Sequence, residues 1–151
     1  MTVTSTISTV ADSIAGLNVS GVTIKDIDQI PDTARMLCPL IIPQPANFVS
    51  DLSITFESFG SNGGAKINTN YTLNYVFLLC EVGSGMGAFA AFSGLISKLS
   101  ALLVEINSND SITGAVDVKI NSISNIGVIT DPAGVEFWGL EFSLRVLEFS
   151  Q

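Results

Sequence analysis

Few residues in this chain have the types and spacing that chemistry needs. They are the acidic run Asp26, Asp28 and Asp32, the glycine-rich stretch Gly83-Ser84-Gly85-Met86-Gly87-Ala88, and the cysteines Cys38 and Cys80. Histidine is absent. That removes Ser-His-Asp and Cys-His triads, and the commonest metal ligand, together. Asp26 and Asp28, two apart on an extended segment, would share a face and could offer carboxylate oxygens to a hard cation. No calcium-loop pattern surrounds them, so they read as a solvated acidic loop, and no metal is expected.

The glycine stretch satisfies G-x-G-x-x-A between a predicted strand and a predicted helix, where a helix N-terminus could hold a pyrophosphate. Its context differs from a dinucleotide site. The preceding strand belongs to a hairpin, no βαβ unit surrounds it, and the position about twenty residues on falls near Glu105, inside the helix. It reads as a turn into a helix that starts with small residues, and no cofactor is expected. Cys38 precedes Pro39 and Cys80 lies in the apolar run Val76 to Val82. That spacing belongs to neither a zinc site nor a redox motif, so both read as buried free thiols. These absences together predict a protein that is not an enzyme.

The elements that position these residues follow from hydropathy. Val3, Ile7, Val10, Ile14 and Leu17 form one helical stripe, with Thr4 or Ser5 as cap and Gly16 as stop. Val22-Thr23-Ile24 reads as a short strand. From Leu37 to Pro45 three prolines in seven positions exclude a helix and a central strand, leaving a sheet-edge segment or a packed loop. Leu52, Ile54 and Phe56 alternate with polar residues, as do Ile67 to Leu79, and Gly60 to Gly64 between them signals a hairpin. Toward Cys80 both strand faces turn apolar, as in a strand buried on both sides.

A helix is predicted from Ala88 to Ile106, with Phe89, Phe92, Leu95 or Ile96, Leu99, Leu102, Leu103 and Ile106 on one wide apolar face. It has the length of a membrane span. Ser93, Ser97, Lys98 and Ser100 interrupt it, and the reading is a core helix with no membrane. Strands at Ala115 to Asn125 and Val135 to Phe149 close the chain around the turn Asp131-Pro132-Ala133-Gly134, with Trp138, Leu140, Phe142, Leu144 and Val146 as the core face. The expected fold is one α+β domain over residues 1–151, a mostly antiparallel sheet with two α-helices packed on it.

At 151 residues the chain can bury a sizeable core without staples. Charged residues are only 13%, about half the usual share, as expected of a surface that other subunits cover. Six basic residues stand singly against fourteen acidic ones, giving a net charge of −8. Specific nucleic-acid binding needs clustered Lys and Arg, so it is not expected, whereas an acidic lumen would let DNA slide without sticking. The opening segment lacks a basic n-region and reads as no signal peptide. Asn18-Val19-Ser20 and Asn70-Tyr71-Thr72 match the glycosylation pattern but carry no weight in a chain that is not secreted.

The order of these elements resembles the small tail-terminator and neck proteins of tailed bacteriophages. The likeness rests on the N-terminal helix, the extended Ile30-Pro31 to Pro45 segment, the strand Tyr71 to Leu79, the glycine-rich lead into a second helix, and the closing run Gly134 to Val146. It is one of order and texture over almost the whole chain. It implies a virion protein, assembled in the host cytoplasm, that forms a homo-oligomeric ring, expected to be a hexamer. Such a ring sits at the head-proximal end of a tail tube, ends tube growth, and contacts the tail-tube protein and the head-completion or connector protein. DNA would pass through its lumen. Asp26, Asp28, Asp32, Asn62 and Lys66 are the expected lumen or subunit-interface residues. The alternatives are another neck component, such as a head-completion or tube-like protein, and a small-ligand module built on Gly83 to Ala88.

Overall fold

The computed structural model describes residues 3–19, 21–31, 37–57, 66–108, 117–131 and 133–150. Helix α1 spans Val3–Ala15. Its stripe buries Val10 and Ile14, and Leu17 continues it beyond the end. The Gly16 amide donates to the Asp12 carbonyl at 3.0 Å to close the last turn. Thr4 and Ser5, expected as caps, lie inside the first turn, because the backbone is already helical at Val3 where the apolar stripe begins.

Strand β1, Thr23–Ile24, and a 3-10 turn at Ile27–Gln29 follow, and then β2, Leu40–Pro43. The proline-rich segment corrects one expectation. β2 is not at the sheet margin but between β1, parallel to it, and the long strand β4, antiparallel to it. The prolines fall before the strand and at its last residue, so their missing amides do not break the ladder. The carbonyls of Pro39 and Ile41 accept from the Thr23 and Lys25 amides at 3.0 and 2.9 Å.

The remaining elements are β3, Val49–Glu57, β4, Lys66–Glu81, a 3-10 turn at Val82–Ser84, helix α2, Ala88–Ser108, β5, Asp117–Thr130, and β6, Glu136–Ser150. β3 and β4 pair antiparallel as the hairpin signal predicted, although the turn itself lies outside the described residues. β5 runs five residues past the expected end at Asn125, because Asp131 makes a tight return. One carboxylate oxygen of Asp131 accepts from the Ala133 and Val135 amides at 3.0 and 2.9 Å. Ala115 and Val116, the expected start of that strand, lie outside the described residues.

The six strands form one sheet in the order β1-β2-β4-β6-β5, with β3 beside the first half of β4. All pairs except β1 with β2 are antiparallel, so the fold is α+β, with a mostly antiparallel sheet and two helices. Both helices pack on one face. There Tyr71, Leu73, Tyr75 and Phe77 of β4, and Leu140, Phe142, Leu144 and Val146 of β6, meet Val10 and Ile14 of α1 and Ala91, Leu95, Leu99, Leu102 and Ile106 of α2. Burying each large aliphatic side chain contributes about 1.5–3 kcal/mol. Tyr75 stacks on Phe142 and takes the edge of Phe48, with ring centroids 5.5 Å apart in both cases. On the opposite face a smaller cluster, Leu40, Ile42, Val76, Leu78 and Phe137, makes the end of β4 apolar on both sides, as its sequence predicted. Gly139 is required there, since a Cβ would run into the Phe77 carbonyl oxygen.

Candidate functional site

The acidic stretch is tied into the fold rather than left free. Asp26 is 6% exposed. It caps the Ile27–Gln29 turn: the Ile27 amide donates to its Oδ1 at 2.6 Å, and its own amide donates to Gln29 Oε1 at 3.2 Å. This reciprocal box explains locally why the sequence reads Asp-Ile-Asp-Gln. The Asp26 carboxyl also hydrogen-bonds Asp12 on α1. Burial, then the Asp12 hydrogen bond, push the Asp26 carboxyl up to about 6, against the pull of the Ile27 amide; the charges of Asp12 and Asp28 add to the rise. Asp12, Asp26, Asp28 and Gln29 line a polar recess of about 290 Å³ between α1 and the turn.

Of the five sequence-predicted site residues, the structure thus brings together Asp26 and Asp28, Asp26 buried and Asp28 exposed. Asp32 and Asn62 lie outside the described residues, and Lys66 is described only as the first residue of β4. β4 separates Lys66 from the acidic corner: its far end pairs with β2 and its first residues with β3. Sequence reasoning missed Asp12. Its signal was a lone carboxylate on the polar side of α1, which nothing in the sequence connects to Asp26. Among the described residues no group of three or more His, Cys, Asp or Glu is arranged to hold a metal ion.

The glycine stretch forms the Val82–Ser84 turn and the approach to α2, with Gly85 at φ 94°. A Cβ at Gly83, Gly85 or Gly87 would meet nothing within 4 Å, so only Gly85 is needed for its backbone conformation. The Trp138 indole donates to the Met86 carbonyl at 3.1 Å and pins the stretch to β6. The strand that leads into it, β4, runs antiparallel to β6 and β2. A dinucleotide site needs a parallel βαβ unit at that point, and this geometry does not supply one.

A second buried carboxyl lies at the other end of the sheet. Tyr71 donates its hydroxyl to Glu148 Oε1 at 3.0 Å. Burial raises the Glu148 carboxyl above its ordinary range, the Tyr71 bond opposing, and burial followed by the Glu148 charge raises the Tyr71 phenol. The open face of the sheet carries a polar mesh. Arg145 Nη1 donates to Thr72 Oγ1 at 3.0 Å and to the Asp51 carbonyl at 3.4 Å, and the Ser122 and Ser143 hydroxyls share a bond at 2.8 Å. These bonds tie β3, β4, β5 and β6 together across the sheet.

The largest departure from expectation is α2. The wide apolar face divides in two: Ala91, Leu95, Leu99, Leu102 and Ile106 are core, while Phe89 is 87% exposed and Val104 64%, and Phe92 and Ile96 are also exposed. By length and composition Ala88–Ile106 could cross a membrane, and 28% of that stretch is buried. A helix over a single sheet can bury only one flank, so the second flank stays uncovered. The other side of α2, with Gly94 against Leu79 and Lys98 near Gly21, faces the β1 side of the fold. The uncovered flank therefore lies toward β5, where Ile123, Ile126 and Val128 are exposed too. β5 pairs with β6 alone, and β3 with β4 alone, among the described residues. Leu52 and Ile54 of β3 are likewise exposed.

No protein-family model matches the chain, and no curated protein is significantly similar to it. Among the described residues, what the molecule offers is the outer margins of β3 and β5, each paired on one side, and an uncovered apolar helix flank.

Proposed function

We propose that this chain is a structural subunit of a bacteriophage neck. It forms a ring at the head-proximal end of a tail tube, ends tube polymerisation and joins the tube to the head connector. The observation that carries the reading is the uncovered apolar flank of α2 beside the open margin of β5. A folded domain that leaves several aromatic and aliphatic side chains exposed on one helix flank offers a surface for a partner. A charged fraction of 13% fits a surface spent on subunit contacts, and a net charge of −8 fits a lumen through which DNA slides by repulsion. The reading assigns the chain to the virion, as a homohexamer with the tail-tube protein below and the connector above.

Polymerising the tail-tube protein with and without this chain tests the reading. Electron microscopy should show rings at one end of short tubes with the chain present, and longer uncapped tubes without it. Tubes of unchanged length, with no density added at either end, would refute termination. Rings that bind the connector but not the tube would move the chain to the head-completion position in the same neck.

A further inference from the structure

The geometry points to a second copy of this chain as the occupant of the α2–β5 patch, docked head to tail so that its β3 margin runs beside β5. The inference rests on the ring reading above and names the surface that would build the ring.

The first argument is area. The patch of Met86, Phe89, Phe92, Ile96, Ile126 and Val128 exposes on the order of 500–700 Å² of side chain, at the upper end of what a typical monomer leaves open and approaching the roughly 800 Å² per partner of a stable interface. The second is charge. α2 carries only Lys98 and Glu105, and residues 120–130 of β5 carry no charge at all. A basic partner would be drawn to the acidic surfaces of a −8 chain, not to its neutral face. Two copies that repel elsewhere can meet only across such a face.

The third argument is strand direction. Along β5, β6, β4 and β3 the strands alternate strictly. With four alternating strands, a copy placed beside the first in the same orientation sets its β3 antiparallel to the first copy's β5, so the ladder continues without reversal. A register that brings Lys119 near Glu57 sets Asp51 opposite uncharged residues of β5, so no like charges face each other. Natural sheets guard free margins with charge, and β5 lacks it beyond Lys119. Because the two contact surfaces lie on opposite margins, the contact is heterologous, and it builds a ring rather than an open filament when the rotation between copies closes.

The test is a charge exchange read by sedimentation velocity and native mass spectrometry of the full chain at tens of micromolar. Wild type should form a closed ring of more than two copies. Ile126→Lys on β5 and Leu52→Glu on β3 should each weaken association at least tenfold. Far-ultraviolet circular dichroism should stay unchanged, since both side chains are exposed. The chain carrying both substitutions should regain the ring, because in that register positions 52 and 126 are diagonal neighbours across the contact, within reach of a Lys–Glu pair. Strict monomers from wild type overturn the proposal. So do dimers broken by Ile126→Lys and untouched by Leu52→Glu, which indicate β5 against β5. Flotation of wild type with anionic or neutral phospholipid vesicles, lost on Phe89→Glu, would assign the flank to lipid and overturn it too. Rings that survive each substitution made singly refute this surface but leave the neck reading standing. Rings that respond as described yet never cap tail tubes refute the neck reading and leave the surface.

Discussion

Replacing Asp12 by Asn should stabilise the fold above pH 6 and leave it unchanged near pH 3.5. The reason is the carboxyl pair that joins α1 to the Ile27–Gln29 turn. In the folded chain Asp26 titrates at about 6, against an ordinary 3.8. As pH rises, the unfolded chain therefore releases this proton first. Between those two values the folded state holds more protons, so stability falls with rising pH, and above 6 the loss is complete. A gap of about 2 pH units corresponds to about 3 kcal/mol at 1.36 kcal/mol per unit, a ceiling for the whole site. Burial is the largest cause and remains in the variant. The Asp12 hydrogen bond and charge come next, and they are what the substitution replaces, with an amide that donates to the Asp26 carboxylate. A gain of about 1 kcal/mol above pH 6 is thus expected, or about 2–4 °C in Tm for a domain of this size. Relief of a negative charge in the last turn of α1 adds about 0.3 kcal/mol in the same direction. Urea unfolding of both proteins at half-unit steps from pH 3.5 to 8 reads the difference directly. A gain that is constant with pH, or that shrinks as pH rises, refutes the shared-proton account.

Three further outcomes follow from the packing of the sheet and α2. Leu95→Ala removes a fully buried side chain between α2 and the sheet and should cost about 2–5 kcal/mol in urea unfolding. Gly139→Ala sets a Cβ against the Phe77 carbonyl oxygen, backbone that cannot move aside without breaking the β4–β6 ladder, and should lower stability by about 1–3 kcal/mol. Burial first, then the charges of Cys80, Glu81 and Asp131, push the Cys38 thiol up to about 11. Iodoacetamide at pH 8 should therefore modify Cys38 about 100-fold more slowly than an unhindered cysteine peptide, as peptide mass spectrometry would read.

Most of the architecture was legible because it is written in local periodicity. The period of two in Tyr71 to Phe77 and Leu140 to Val146 names the core face of both long strands, and all eight apolar positions are buried. The stripe Val10, Ile14, Leu17 likewise names the buried side of α1. Periodicity says nothing of partners across the chain. The Pro39–Pro43 segment looked marginal because proline forbids ladder bonds, yet only its ends are proline and β1 pairs outside it. The Asp12–Asp26 contact joins α1 to the turn after β1, and no spacing rule reports it. On α2 the apolar positions cover two flanks, and sequence cannot tell which of them a single sheet will cover. Of the candidate site, therefore, the acidic corner was half visible and the uncovered flank was read as core.

That misreading bears on function. A helix whose apolar residues span two flanks is over-provided for a monomer in which one sheet lies beneath it. If the second flank existed only to raise helix propensity, serine or lysine at Phe89, Phe92, Ile96 and Val104 would serve as well, since aromatic and β-branched residues are weaker helix formers. Their cost to a free subunit is exposed apolar surface, and a covering neighbour removes it. Around the helix Ser93 and Ser100 lie between Phe89 and Val104, so the unbroken apolar strip is Phe92, Ile96 and Phe89. The charge distribution points the same way. Glu105 stands on α2 and Glu141 in β6 beside β5, while α2 from Ala88 to Ser97 and β5 from Ile120 to Thr130 are neutral. Under the ring proposal, repulsion between copies is thus kept off the faces that would meet. Neutral, apolar faces on an acidic chain are what that proposal requires of the contact.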